Sequence, residues 1–173
     1  MTSYKELLKN INTFILDYDG VMTNGIVILT ENDEPLRTAN VKDGYAIQLA
    51  VKKGYRIAII SGGKSKTIHR RLSALKVTDI FLGANNKLEI FDDYINKHKL
   101  ELQNVLYMGD DIPDYEVMQA CGIATCPADA AVEIKSTSKY ISNFNGGEGC
   151  VRDVIEQVLR LKGNWMNEHS SAR

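Results

Sequence analysis

Side chains able to do chemistry follow several apolar runs of this chain. Two carboxylates two residues apart, Asp17 and Asp19, come directly after the first of these runs. A hydroxyl follows the next run at Ser61, an ammonium lies at Lys87, and a second acidic pair occupies 110–111. Two carboxylate pairs, a hydroxyl and an ammonium are the groups expected of a site that holds a divalent cation and a phosphoryl group.

The charges of these groups explain why a cation and a phosphate are expected together. Several carboxylates cannot share one pocket unless a cation neutralises them. A phosphate dianion approaches such carboxylates only where metal and lysine charges offset the repulsion. The pattern therefore favours a metal-assisted reaction in which an aspartate acts as the nucleophile.

Length and composition are typical of a soluble globular protein. The 173 residues are 44% hydrophobic and 25% charged, with a net charge of −1. This balance gives no basic field for nucleic acid or a membrane surface, and no apolar run approaches the roughly 18–20 residues that span a bilayer. Residues 1–9 indicate a short amphipathic helix rather than a signal peptide, so we expect a cytoplasmic protein. The cysteines are expected to be buried free thiols; they are Cys121, Cys126 and Cys150.

Apolar runs alternate with helical patterns along the chain. Five runs predict buried strands at 12–16, 56–60, 79–82, 104–108 and 122–125. Helical patterns lie at 43–53, 65–75, 86–98, 112–120 and 148–162. Continuous apolar runs indicate strands covered on both faces, so we expect one domain over 1–173, an α/β fold with a doubly wound parallel sheet. Ligands of such sheets bind beyond the carboxyl ends of the strands, which is where the chemical groups are expected to meet.

One stretch, 25–39, breaks the alternation. Its extended arms, 25–30 and 35–39, flank a polar turn and predict a β-hairpin inserted between the first strand and its helix. An exposed hairpin with an apolar face is prone to associate, and we expect an oligomer contact there in preference to a flap on its own subunit. The tail at 163–173 is polar and is expected to be mobile in part.

The four groups, in this order, resemble the four motifs of the haloacid dehalogenase-type phosphatases. The motifs are Asp17-x-Asp19-Gly20-Val21, Ser61-Gly62, Lys87 and Gly109-Asp110-Asp111. They are separated by about 44, 26 and 23 residues and together span essentially the whole chain. Each motif alone is weak, because acidic turns, serine caps and surface lysines are common. The resemblance implies a Rossmann-like fold, and the short gaps between motifs imply a member without a cap domain.

The resemblance also implies a role for each motif residue. Asp17 would attack phosphorus to form an aspartyl-phosphate. Asp19 would protonate the leaving alkoxide and then deprotonate the attacking water. Ser61 would hydrogen-bond the phosphoryl oxygens, and Lys87 would offset the charge of Asp17 and of the phosphate.

The metal implied by the resemblance is Mg²⁺. It would be held by Asp17, the backbone carbonyl of Asp19, and Asp110, with water and phosphate oxygens completing an octahedron. Asp111 and Asp114 would orient the ligands or the metal-bound waters.

Longer motifs are similar to those of a narrower family, the phosphatases of 3-deoxy-D-manno-octulosonate 8-phosphate (KDO 8-phosphate), which release KDO for lipopolysaccharide synthesis. These motifs span 19–25, 40–45, 109–114 and 146–152. The resemblance implies a homotetramer with the hairpins packed at its centre and a C-terminal segment that reaches toward a neighbour's site. It also implies substrate or interface contacts at Thr23, Lys42, Asp43, Gly62, Gly63 and Arg71.

A sister family with a nine-carbon substrate is the main alternative. It hydrolyses 2-keto-3-deoxy sugar acid 9-phosphates and tends to carry an acidic residue after the Ser-Gly pair and a lysine further along the next helix. The corresponding positions here are Gly63 and Ala74. They favour the eight-carbon substrate.

Two remote alternatives are non-catalytic. A phospho-receiver domain also combines acidic residues, a hydroxyl and a lysine on a parallel sheet, but its lysine comes last in the chain, whereas Lys87 precedes Asp110 here. A regulatory or oligomerisation module would have no need to retain the whole set of catalytic side chains. An enzyme is therefore the favoured interpretation.

Overall fold

Parallel strands form one sheet in the computed structural model, which describes residues 3–31 and 35–166. The strands are β1 (Thr13–Leu16), β2 (Arg56–Ser61), β3 (Asp79–Leu82), β4 (Val105–Met108), β5 (Ile123–Cys126) and β6 (Tyr140–Ile141). Their order across the sheet is β3-β2-β1-β4-β5-β6, and each neighbouring pair is parallel. The direction of chain progression reverses between β1 and β4, so the crevice where such sheets bind ligands lies beyond the carboxyl ends of these two strands.

The strands are apolar throughout because both faces of the sheet are covered. Successive residues of β1 alternate between two cores: Phe14 and Leu16 pack on one face, and Ile15 packs on the other. The same alternation places Ile59 of β2 in the first core and Ile60 in the second. Continuous apolar strands are therefore explained by burial on both sides rather than on one.

Helices cover the two faces. They are α1 (Tyr4–Leu7), α2 (Val41–Lys52), α3 (Lys66–Ala74), α4 (Lys87–His98), α5 (Tyr115–Ala120), α6 (Val132–Thr137) and α7 (Cys150–Leu161). Buried side chains of α2, α3 and α7 lie in the first core, and those of α4, α5 and α6 lie in the second. The side chains of Asn40, Ser65 and Asn86 each accept hydrogen bonds from first-turn backbone N–H groups of α2, α3 and α4, which is the usual function of an N-cap.

The predicted doubly wound parallel α/β fold is confirmed. Each of the five predicted strands and five predicted helices is present, with boundaries that differ by a few residues. The helix predicted at 112–120 begins as a 3₁₀ turn, Ile112–Asp114, before α5. Sequence reasoning missed α6 and β6 because both are short and neither carries an apolar run. The thiols of Cys126 and Cys150 are buried and that of Cys121 is partly buried; all three are free.

The inserted segment has antiparallel arms joined by a single bridge. Ile28 and Leu36 exchange backbone hydrogen bonds of 3.1 and 2.9 Å, and the tip at 32–34 lies outside the described residues. Apolar side chains of the arms are exposed, with Leu29 85% accessible and Ile26 61%.

No helix in the described ranges has the length and apolarity needed to cross a bilayer. Of the predicted tail, 167–173 also lies outside the described residues.

Candidate active site

A cleft of about 620 Å³ opens at the carboxyl edge of the sheet, over the point where the strand order reverses. Its walls come from the loops after β1, β2, β3 and β4. The lining residues are Asp17, Asp19, Gly20, Gly25, Ser61, Gly62, Gly63, Ala84, Asn85, Lys87, Asp110, Asp111, Pro113 and Asp114. The structure thus brings together the catalytic and metal-binding candidates that are far apart in the sequence.

A buried lysine links two carboxylates at the bottom of the cleft. The Nζ atom of Lys87 lies 3.0 Å from Oδ1 of Asp17 and 2.7 Å from Oδ1 of Asp114. The hydroxyl of Tyr107 donates to the same Asp114 oxygen at 2.6 Å, and the backbone N–H of Asp110 donates to Oδ2 of Asp114 at 3.1 Å. Both oxygens of Asp114 are therefore engaged by protein donors, which suits a residue that orients its neighbours.

The three acidic groups around this lysine carry more negative charge than it can neutralise. Burial and the adjacent Asp114 raise the pKa of Asp17 well above its usual value, although Lys87 opposes the shift. Burial and Asp114 also raise the pKa of Asp110, to about 7. Burial alone would lower the pKa of Lys87, but the charges of Asp17 and Asp114 raise it overall. The cluster is short of positive charge, as expected of a site that binds a cation.

The donor geometry also fits a small divalent cation. Carboxylate oxygens of Asp17, Asp110 and Asp114 all lie within 4.8 Å of one another. Gly20, which has a φ of +82°, passes so close that a Cβ atom there would overlap the Asp110 carboxylate. Hard oxygen donors in a tight group are the ligands that Mg²⁺ prefers. The residues present therefore fit the ion that the motifs predict.

The hydroxyl and glycine residues after β2 form one wall of the cleft. Ser61 is buried, and its Oγ accepts the backbone N–H of Gly63 at 3.2 Å. A Cβ atom at Gly63 would lie 3.3 Å from Oδ2 of Asp19 and 3.5 Å from Oγ of Ser61. The absence of a side chain at position 63 keeps the space between these two groups open.

Four of the predicted substrate contacts do not line the cleft. Thr23 is buried, and its Oγ1 accepts the backbone N–H groups of Gly20 and Gly25, both at 3.2 Å. This side chain therefore shapes the loop after β1. Lys42 is exposed at the start of α2, and Arg71 of α3 is half-buried.

The fourth of them, Asp43, lies in the first turn of α2 and is buried against the N-terminal end of α7. Its Oδ1 accepts the backbone N–H of Arg152 at 2.7 Å, whereas its Oδ2 is buried without a hydrogen-bond partner in the described structure. Burial raises the pKa of Asp43 from 3.8 to about 6, against the opposing effect of the Arg152 contacts. The side chain ties α2 to α7 at an electrostatic cost in its ionised form.

Asp43→Asn is expected to remove a pH-dependent loss of stability. The pKa of Asp43 is raised in the folded state, so the protonated side chain favours folding. This contribution to the free energy of unfolding is fully present below about pH 4 and is lost as the pH rises to about 6. The difference in free energy of unfolding between the variant and the parent protein should therefore shift in favour of the variant by up to about 3 kcal/mol between pH 4 and pH 7. Urea unfolding across this range measures the difference. The exposed Asp92→Asn is the control, and a difference for Asp43→Asn that does not change with pH would contradict the prediction.

The loop before α7 braces the loop that follows β1. The backbone N–H of Gly147 donates to the carbonyl of Val21 at 2.9 Å. The side-chain amide of Asn40 donates to the carbonyl of Gly147 at 3.0 Å. A Cβ atom at Gly146 would overlap the carbonyl of Gly20. Glycine at 146 therefore permits a close backbone contact that holds the loop carrying Asp19.

Sequence reasoning missed two polar side chains of the site. Tyr107 lies inside β4, and its sequence context is that of an ordinary core residue. The one available signal was its phenol, because a buried tyrosine hydroxyl usually has a hydrogen-bond partner. Arg37, on the second arm of the inserted hairpin, donates from Nε to Oδ1 of Asp19 at 2.6 Å. No spacing rule pointed to it, because the contact depends on how the hairpin folds back.

Known proteins are similar to this chain in sequence and in fold. A family model described as haloacid dehalogenase-like hydrolase matches residues 79–155. The 3-deoxy-D-manno-octulosonate 8-phosphate phosphatase KdsC of Escherichia coli (strain K12) is 37% identical over 155 residues, which cover 90% of this chain and 82% of the relative. The chain therefore belongs to the 3-deoxy-D-manno-octulosonate 8-phosphate phosphatase family of the haloacid dehalogenase-like hydrolases.

Solved structures agree with this assignment. The structure of the 3-deoxy-D-manno-octulosonate 8-phosphate phosphatase from Yersinia pestis superposes with a TM-score of 0.89 at 30% identity, covering 92% of this chain and 86% of the other. The structure of the Moraxella catarrhalis phosphatase of the same name, in complex with magnesium ion, phosphate ion and KDO, gives a TM-score of 0.89 at 29% identity, with coverage of 93% and 92%.

Proposed function

We propose that the protein is a Mg²⁺-dependent phosphatase that hydrolyses KDO 8-phosphate to KDO and phosphate through an aspartyl-phosphate. The observation that carries the proposal is the buried Asp17 at the end of the central strand, 3.0 Å from Lys87 and grouped with Asp110. It occurs in a chain that is similar over most of its length to phosphatases named for this substrate. The relatives named above are not phosphatases of the nine-carbon ester, and none is named as a non-catalytic protein.

The first chemical step is attack on phosphorus by a carboxylate oxygen of Asp17. A P–O bond to Asp17 forms as the P–O bond to the sugar breaks, and Asp19 gives its proton to the departing alkoxide. In the second step Asp19 takes a proton from water as the water oxygen attacks phosphorus. The Asp17–phosphorus bond then breaks, which restores the carboxylate and releases inorganic phosphate.

Lys87 and Ser61 position the reacting groups in this scheme. Lys87 holds one oxygen of Asp17 through its 3.0 Å contact, which leaves the other oxygen to attack, and its charge opposes the repulsion between carboxylate and phosphate. Ser61, at the end of β2, would donate its hydroxyl hydrogen to a phosphoryl oxygen. Gly62 and Gly63 keep backbone rather than side chains beside that oxygen.

Mg²⁺ would be held by Asp17, Asp110 and the backbone carbonyl of Asp19, and when bound it neutralises charge on the carboxylates and on the transferring phosphoryl group. Asp114 and Asp111 would not bind the metal but would orient the residues that do. Asp114 does so through its bond to the Asp110 backbone, and Asp111 from its exposed position on the rim of the cleft.

Phosphate release from KDO 8-phosphate and from its nine-carbon homologue, measured side by side with Mg²⁺, tests the proposed function. A preference for the eight-carbon ester of tenfold or more in kcat/KM, about 1.4 kcal/mol of transition-state discrimination, supports it. Equal rates or the reverse preference would overturn the substrate assignment. Phosphate release from simpler sugar phosphates alone would overturn the substrate assignment and show that the protein is a phosphatase of another pathway.

We further propose that the chain is one domain over 1–173 and works in the cytoplasm, in lipopolysaccharide precursor synthesis, as a homotetramer. The exposed apolar arms of the hairpin support the tetramer. Leu29, Ile26 and Ile28 are each more than half exposed on one short insertion, and an apolar patch of this kind marks an interaction site. In a tetramer, Lys42 and Arg71, which do not line their own cleft, would contact a neighbouring site, and the C-terminal tail would reach toward that site.

Charge on the hairpin is expected to dissociate the oligomer. The double variant Ile26→Asp and Leu29→Asp should sediment as a 19.3-kDa monomer at micromolar concentration, whereas the parent protein should sediment as a tetramer. Burying two carboxylates in an apolar interface costs far more than the contact contributes. Val132→Asp, at an exposed position of α6, is the matched control and should stay tetrameric. A parent protein that is monomeric would overturn the proposal.

A further inference from the structure

The hairpin reaches back to the proposed acid–base residue. Nε of Arg37 donates to Oδ1 of Asp19 at 2.6 Å, across 18 positions of sequence. The Arg37 side chain is only 14% exposed and that of Asp19 is 33% exposed. One terminal nitrogen of Arg37 also contacts the carbonyl of Pro35, at 3.5 Å. The Arg37 side chain is therefore largely shielded from water, and its guanidinium is held between the Asp19 carboxylate and the backbone of its own arm.

The contact distinguishes the two oxygens of Asp19. Oδ1 is occupied by Arg37, and within residues 3–31 and 35–166 no donor contacts Oδ2. Oδ2 points toward the wall formed by Ser61 and Gly63, because a Cβ atom at Gly63 would be 3.3 Å from it. That wall is where the phosphoryl oxygens are proposed to bind. The free oxygen of Asp19 thus faces the reacting group, and the bound one faces the hairpin.

A general acid must present one oxygen to the leaving group in a narrow range of directions. A carboxyl group attached to a loop can otherwise rotate about its side-chain torsions. An arginine donor on Oδ1 limits this rotation and leaves the proton on Oδ2, since an oxygen that already accepts an N–H is the carbonyl oxygen of the acid form. Lysine could make the same single contact, but with a more flexible and less planar donor.

We propose that Arg37 is a positioning residue for Asp19: it holds Oδ1 so that Oδ2 delivers the proton to the departing alkoxide. When the sugar P–O bond breaks, the O–H bond at Oδ2 breaks too, the proton passes to the alkoxide oxygen, and Asp19 is left as a carboxylate facing Arg37. The inference rests on the proposed phosphatase function. It makes the inserted hairpin part of the catalytic apparatus.

Two esters that differ in their need for an acid test the proposal. The sugar alkoxide leaving from KDO 8-phosphate requires a proton, whereas the nitrophenolate leaving from p-nitrophenyl phosphate does not. Arg37→Met should lower kcat/KM for KDO 8-phosphate by roughly 30- to 100-fold, because a misdirected acid loses part of the ~10²–10⁴-fold that general acid catalysis contributes. It should lower kcat/KM for the aryl ester by less than about threefold, because that leaving group needs no proton. Arg37→Lys should recover much of the loss. Arg70→Met, an exposed arginine of α3, is the charge-matched control and should leave both values unchanged.

Further readouts separate positioning from a general effect on structure. In an Asp19→Asn background, Arg37→Met should not lower kcat/KM for KDO 8-phosphate any further, because the two residues act in one step. Mg²⁺ affinity by calorimetry and the thermal midpoint should match those of the parent. Equal losses on both esters, an additive effect in the double variant, or weakened Mg²⁺ binding would overturn the inference while leaving the phosphatase intact. A parent protein inactive on both esters would instead overturn the proposed function, and the inference with it.

Discussion

Asp17→Asn is expected to abolish phosphate release from KDO 8-phosphate, by at least about a thousandfold in kcat, because an amide cannot serve as the nucleophile. The change is nearly isosteric and retains an oxygen at the same place. The variant should therefore still accept the Lys87 contact that Asp17 makes at 3.0 Å and should still bind Mg²⁺. Malachite-green detection of phosphate and calorimetric titration with Mg²⁺ measure the two properties separately.

The exposed Asp93→Asn of α4 is the matched control for this substitution and should be fully active. Mass spectrometry of the parent protein during turnover should find one phosphoryl group on the peptide that contains Asp17. Appreciable residual turnover in Asp17→Asn, or a phosphoryl group on another peptide, would refute the nucleophile assignment.

Lys87→Met should reduce both stability and turnover. The Lys87 side chain is 7% exposed, and its ammonium pairs with two buried carboxylates, at 3.0 and 2.7 Å. Removing one member of a buried ion pair leaves uncompensated charge and costs about 3–5 kcal/mol. Turnover should fall by roughly 100-fold or more, because a charge that offsets the repulsion between Asp17 and phosphate is lost.

Magnesium gives this prediction a second arm. A cation held by Asp17 and Asp110 would supply part of the missing charge, so Mg²⁺ should stabilise Lys87→Met more than it stabilises the parent protein. Urea unfolding with and without Mg²⁺ measures this difference. Lys97→Met, exposed near the end of the same helix, should behave like the parent. A Lys87→Met protein with parental stability in the absence of metal would contradict the account of the cluster.

The fold could be predicted from the sequence because its signals are local. Apolar runs such as 56–60 and capping residues such as Ser65 act within a few positions of themselves. Parallel strands covered by helices leave few topologies to choose from. The short α6 and β6 were not predictable in this way, since neither carries a periodic pattern long enough to stand out from a loop.

The same locality explains what the motifs determined about the site. Asp17 and Asp110 follow strands that become neighbours in the sheet, so the topology brings them to one crevice without any knowledge of side-chain packing. The sequence by itself thus indicated the fold class, the cleft and the residues grouped in it.

Only the tertiary structure decided which partners these groups take. Asp114 accepts from Lys87, Tyr107 and the Asp110 backbone at once, and Arg37 holds one oxygen of Asp19 from an inserted arm. These contacts depend on the path of loops and on side-chain rotamers that are set by packing, which no periodicity or spacing encodes. The sequence therefore determined where the chemistry lies, and the three-dimensional packing determined how its groups are oriented.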